Sequence, residues 1–115
     1  MREIQRRYID FINKRPDFNI GTHRSVERAR QELNEELYPI LPTATEEITI
    51  WQYADVADEM ADVVLFIAHA ANRLGIDLEH AMKTKMDKND VRFPEGMTYK
   101  EAKRREATTQ PKKSL

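Results

Sequence analysis

Four acidic side chains stand in two pairs along this sequence, Glu32 with Glu35 and Glu59 with Asp62. Members of each pair are three residues apart, so on a helix they share a face. Four carboxylates without a soft ligand describe a hard-cation site, suited to magnesium or manganese. Such close like charges repel unless an ion joins them, and one or two divalent cations remove that cost. On a helical wheel Glu36 lies nearer the apolar stripe than Glu35, so spacing leaves either as the second ligand of the first pair. Lys85, Asn89 and Arg92 follow at i, i+4 and i+7 on one later face. Two cations and an amide at that spacing can grip phosphate oxygens. A metal site with a basic face is what a polyphosphate substrate requires.

The elements that must position these groups read as helices. Arg2 to Lys14 carries an apolar stripe at Ile4, Tyr8, Phe11 and Ile12, with Arg2, Arg6 and Arg7 mainly off it, and Pro16 ends the helix. A second helix begins near Thr22 or Ser25 and presents Val26, Ala29, Leu33, Leu37 and Ile40, with Pro39 kinking or ending it. The run TATE at 43–46 fits a capping box that would open the third helix, but the β-branched run at 48–50 also allows a loop to about Trp51. From Ala54 to Leu74 the third helix is apolar nearly all round, which is the mark of a central, buried helix, and it carries Glu59 and an Asp62 expected to be buried. Gly75 supplies its cap. Leu78 to Arg92 forms the fourth helix, with Leu78, Ala81, Met82 and Met86 turned inward, and a capping-box pattern at Thr98 and Glu101 opens a short last helix to about Glu106. The expectation is all-α: a four-helix bundle over 1–106 with a short C-terminal helix, then a flexible basic tail over 107–115.

The totals narrow the class. The chain has 115 residues, 34% charged and 40% hydrophobic, with three Gly and five Pro, which favours one helical domain over a sandwich or barrel. There is no Cys, and His23, His69 and His80 fall outside zinc spacing, so disulfides and a structural zinc are not expected. No long apolar run or signal-peptide pattern is present, so a cytoplasmic protein without membrane contact is expected. The net charge of -1 divides into +4 over 99–115 and -5 over the rest. An acidic body without a clear helix-turn-helix argues against stable nucleic-acid binding.

The pattern Glu32-x-x-Glu35, a spacer of 23 residues, then Glu59-x-x-Asp62 resembles the MazG-like all-α nucleoside triphosphate pyrophosphatases. The run DEMADVVLFIAHAANRLGIDLEHAMKTKMDKNDVRFP is similar to that family's EELADVL…LGIDLEEA…KMEKNRRRFP, and TYKEAKRRE also fits. The first acidic motif departs from the family's EExGELAE, with Asn34 and Glu36 at the altered places and Pro39 following. The resemblance implies a four-helix MazG-like bundle forming homodimers or homotetramers. It implies magnesium ligands at Glu32, Glu35, Glu59 and Asp62, with manganese as a possible substitute, and triphosphate contacts at Lys85 and Asn89, with Arg92 as helper. The implied reaction takes a nucleoside triphosphate and water to the monophosphate and pyrophosphate, with Glu32 or Glu35 activating the water.

In that family the N-terminal segment helps to form the base pocket. Here it offers Phe11 and Phe18, together with Trp51, for stacking, and Asn13, Asp17 and Asn19 for the base edges. This leans toward a guanine nucleotide such as dGTP, a substrate of small phage members of the family, the MazZ type. His69 lies seven residues after Asp62 and either approaches the site or is a satisfied core histidine. Two rival readings keep the helical fold: a phosphoribosyl-ATP pyrophosphohydrolase-like enzyme, and a non-catalytic interaction module that has retained the scaffold.

Overall fold

A computed structural model describes residues 1–42 and 47–109. It is all-helical, and among the described residues it has no strand. Five α-helices follow in order: α1 Arg2–Lys14, α2 Thr22–Gln31, α3 Ile50–Leu74, α4 Leu78–Arg92 and α5 Tyr99–Thr109. No described helix is long and apolar enough to cross a membrane. The chain divides into two compact units, Met1–Leu78 and Glu79–Leu115.

In the first unit α3 is the hub, packed chiefly by α2 and then by α1. Its start is set by Thr49, whose Oγ1 accepts from the Gln52 amide at 3.2 Å while the Gln52 side chain accepts from the Thr49 amide at 2.8 Å. The helix therefore begins just after the β-branched run is entered; the capping-box pattern at 43–46 lies outside the described residues. Gly75 ends the helix in the left-handed region, φ 70°, and the Ile76 amide returns to the Ala71 carbonyl at 2.8 Å. Only a glycine takes that conformation without steric cost.

Small residues let α2 and α3 approach closely. Ser25, Ala29, Ala68, Ala70 and Ala71 are all buried, and the Ser25 hydroxyl donates to the Phe66 carbonyl at 2.6 Å. His69, also buried, donates from Nε2 to the Ile20 carbonyl at 2.9 Å and meets the Tyr8 ring edge-on. It is the satisfied core histidine.

Two expectations are corrected. α3 is buried toward its C-terminal half but not throughout: Ile50, Trp51, Tyr53, Met60 and Val64 are exposed, because the partner helices of its own unit cover one side only. In α4, Met82 and Met86 do not turn into a core; they are 49% and 63% exposed, and the helix has no buried residue.

α2 does not stop at Gln31 but widens into a π-helical stretch, Glu32–Leu37, and leaves through a 3-10 turn, Tyr38–Ile40. Pro39 has no amide hydrogen, and its ring crowds the carbonyl four residues back, so regular α-helix cannot run through it. The wider turn absorbs this conflict and alters which of the acidic side chains share a face.

Within the second unit the α4–α5 corner is closed by Arg92, whose guanidinium donates through Nε and Nη2 to both carboxylate oxygens of Glu106. Phe93 stacks on Tyr99 and Ala102 is buried. The capping box at Thr98 and Glu101 forms, and α5 runs past Glu106 to Thr109.

Candidate metal and ligand site

Three of the four expected carboxylates converge. Glu32, at the start of the π-helical stretch, and Glu59 and Asp62, one turn apart on α3, present carboxylate oxygens all within 4.8 Å of one another. Packing of α2 on α3 sets this distance, and the Ser25–Phe66 hydrogen bond pins the two helices two turns away. Glu32 and Glu59 are half-buried. Asp62 is exposed, which corrects the expectation that its apolar neighbours bury it: it borders an open cavity instead.

Glu35 is exposed and lies outside this group of three. Glu36, also exposed, acts electrostatically on Glu59. Burial, then the charges of Asp62, Glu32, Glu36 and Asp58, hold the Glu59 carboxyl above its ordinary range. Among the described residues Arg28 answers this charge: its Nη2 lies 3.5 Å from Glu32 Oε1, with its guanidinium also over the Phe66 ring. The donor set is all oxygen and anionic, so it fits a hard divalent cation and neither a soft metal nor zinc in a thiolate cage.

Beside the carboxylates is a cavity of about 520 Å³, lined by Ile4, Arg7, Tyr8, Phe11, Phe18, Asp62, Leu65 and Phe66. That volume is ordinary for a small-molecule pocket. Tyr8 stacks on Phe11 at 5.5 Å and 15°, and Phe11 meets Phe18 edge-on at 5.5 Å. Burial, followed by the nearby Asp62 charge, raises the Tyr8 phenol, which thus stays a hydrogen-bond donor.

Of the residues expected at a base pocket, Phe11 and Phe18 line this cavity. Asn13, Asp17, Asn19 and Trp51 do not. Trp51 is 82% exposed, and the Asn19 side chain accepts from Arg73 at 3.0 Å. Arg7 and Tyr8 were not expected as pocket residues. Their signal was present, because Ile4, Arg7, Tyr8 and Phe11 follow helical spacing and share one face.

Lys85, Asn89 and Arg92 lie on α4 in the second unit, Lys85 exposed and Asn89 half-buried. Arg92 is committed to Glu106 through Nε and Nη2, so one edge of its guanidinium is already occupied. No protein-family model matches the chain, and no curated protein matches it.

Proposed function

We propose that this chain is a magnesium-dependent nucleoside triphosphate pyrophosphohydrolase built on a MazG-like four-helix bundle. One observation carries the reading: carboxylates from two helices meet within 4.8 Å at the edge of an aromatic-lined cavity. Acidic clusters are common on helical surfaces, but one bordering a pocket with stacking walls suits a ligand that has a polyanion at one end and a flat ring at the other.

Glu32, Glu59 and Asp62 would hold the ion, manganese serving as a possible substitute. When bound, it supplies phosphate charge neutralisation and a more acidic water. The chain's own groups do the remainder. The proton of the attacking water goes to a carboxylate, Glu35 by the resemblance or Glu36, whose charge acts on Glu59. Oxygen bonds to the α-phosphorus, the α–β anhydride bond breaks, and pyrophosphate leaves with the bonding pair. The rings of Tyr8, Phe11 and Phe18 stack the base. By the resemblance alone, Lys85 and Asn89 are assigned to phosphate oxygens.

The reading includes a homodimer or homotetramer in the cytoplasm. Ile50, Tyr53, Met60 and Val64 recur at helical spacing along α3, each between 44% and 79% exposed, and so leave an apolar stripe that a second copy would cover.

The test is product analysis after incubation with each canonical dNTP and NTP, in magnesium and in EDTA. Magnesium-dependent monophosphate and pyrophosphate, without diphosphate, is the expected result. No cleavage with magnesium or manganese overturns the reading.

A further inference from the structure

Arg28 links the acidic site to the wall of the cavity. Its Nη2 lies 3.5 Å from Glu32 Oε1, its Nη1 donates to Gln31 Oε1 at 3.2 Å, and its guanidinium carbon stands 5.4 Å from the centre of the Phe66 ring, which lines the cavity. This placement belongs to the helix contact. Three residues earlier on α2, Ser25 is hydrogen-bonded to the carbonyl of the same Phe66. Residues three apart share a helix face, so the bond that joins α2 to α3 also sets Arg28 at the ring.

The grip on Glu32 is loose. At 3.5 Å it is longer than a charge-assisted hydrogen bond of roughly 2.7–2.9 Å. Arginine four residues before glutamate is also the weaker order for a helical ion pair. Glu32 cannot serve Arg28 and a divalent cation equally, because an ion on the carboxylate cancels the charge that holds the guanidinium. A polyphosphate brought to the ion adds a fresh excess of anion. A guanidinium answers that excess well: it is planar, permanently charged and able to grip two phosphate oxygens at once.

We infer that Arg28 is a phosphate-binding residue of this site, which competes with the divalent cation for Glu32 and passes to a phosphate oxygen when a polyphosphate binds. The inference rests on the pyrophosphohydrolase reading and adds to it a residue outside the acidic pairs and outside the Lys85–Asn89 face. The same arginine then opposes binding of the ion alone and favours binding of ion and polyphosphate together, so the two ligands are coupled through it.

Calorimetric titration of the full chain with magnesium alone, and with inorganic pyrophosphate in excess magnesium, tests this without turnover. Arg28→Met, which keeps the apolar stem on the Phe66 ring, is expected to bind pyrophosphate roughly tenfold more weakly. It binds magnesium alone as tightly as the parent or more tightly, and its melting temperature is nearly unchanged. Arg28→Lys keeps the charge without the fork, so its magnesium affinity stays at the parent level and its pyrophosphate affinity falls by less. Unchanged pyrophosphate affinity in Arg28→Met overturns the inference. So does a parent chain that binds no pyrophosphate in magnesium, or a variant that loses both ligands together with its melting temperature, which marks a purely structural ion pair. Pyrophosphate binding that depends on Arg28, in a chain that cleaves no nucleoside triphosphate, removes the reaction and leaves the role of Arg28 standing. Cleavage by the parent with unaltered pyrophosphate binding in Arg28→Met leaves the reaction and removes that role.

Discussion

The hydroxyl of Ser25 donates to the main-chain carbonyl of Phe66 across the α2–α3 contact, 2.6 Å away, with the serine fully buried. This bond holds the helix that carries Glu32 against the one that carries Glu59 and Asp62. Ser25→Ala deletes the bond with little change in volume and is expected to cost about 1 kcal/mol. Ser25→Val adds bulk where there is no space, so a larger loss, about 1–3 kcal/mol, is expected. Urea denaturation checks both. A Ser25→Val protein as stable as the parent would show that the helices are not tightly apposed there.

Glu59 is the carboxylate most burdened by its neighbours, with burial and four other acids all acting against its charge. Glu59→Gln is therefore expected to raise the metal-free melting temperature and to lose most of the stabilisation that magnesium confers. Asp62→Ala is expected to abolish turnover with the fold intact, because Asp62 is exposed and its loss leaves no cavity in the core. Thermal melts with and without magnesium, read beside product formation, separate the two effects. Full activity in Asp62→Ala would remove it from the ligand set.

Gln5 is a buried polar side chain that ties three segments together. Its Nε2 donates to Asn72 Oδ1 at 3.1 Å and to the Ile76 carbonyl at 2.8 Å, while Oε1 accepts from the Leu78 amide at 2.9 Å. Gln5→Leu keeps the volume but strands those partners, at a cost of about 1–3 kcal/mol for each that stays unsatisfied. Gln5→Glu retains the acceptor for Leu78 but presents an acceptor to two others, so destabilisation is expected to ease as the pH falls and the carboxyl protonates. Chemical denaturation at neutral and mildly acidic pH measures this.

The Arg92–Glu106 pair sets a pH dependence of opposite origin. The hydrogen bonds from Arg92, assisted by its charge and those of Lys103 and Arg105, hold the Glu106 carboxyl below its ordinary range. A depressed carboxyl stabilises the folded state above the unfolded value, and this stabilisation is lost as pH falls through the folded value. Both side chains are partly exposed, so the effect is small and screened by salt. Glu106→Gln is expected to flatten the acid limb of the stability profile of the α4–α5 corner by lowering its neutral stability slightly, with behaviour in acid nearly unchanged. Amide exchange over 92–106 between mildly acidic and neutral pH follows that corner directly.

Much of the architecture is local and so is legible in the chain itself. The 3.6-residue stripe of α1, the stop at Pro16, the glycine cap after Leu74 and the Thr98 capping box all depend on residues within a turn or two of one another. The clustering of Glu59 with Asp62 is legible for the same reason, since three residues on a helix make neighbours. Joining Glu32 to them is not local. It requires α2 to lie on α3 at one depth, and that depth is decided by the small residues Ser25, Ala29 and Ala68 and by the Phe66 carbonyl.

Where the expectations failed, a distant group intervened. Glu35 was paired with Glu32 by α-helical spacing, but the chain conflicts with Pro39 and widens to π geometry between them, so an α-helical wheel no longer ranks Glu35 and Glu36. Asp62 was read as buried because its sequence neighbours are apolar; burial depends on which helices cover a face, and that face borders a cavity. Arg7 is expected mainly off the apolar stripe of α1 yet lines the cavity, since charge is visible in a sequence while the pocket before it is not. Residue types and helical spacing determined the helices and the chemistry of the acidic groups. Only the packing of α1 and α2 on α3 decided which of those groups meet, because the distance between helices depends on side-chain volumes far apart along the chain.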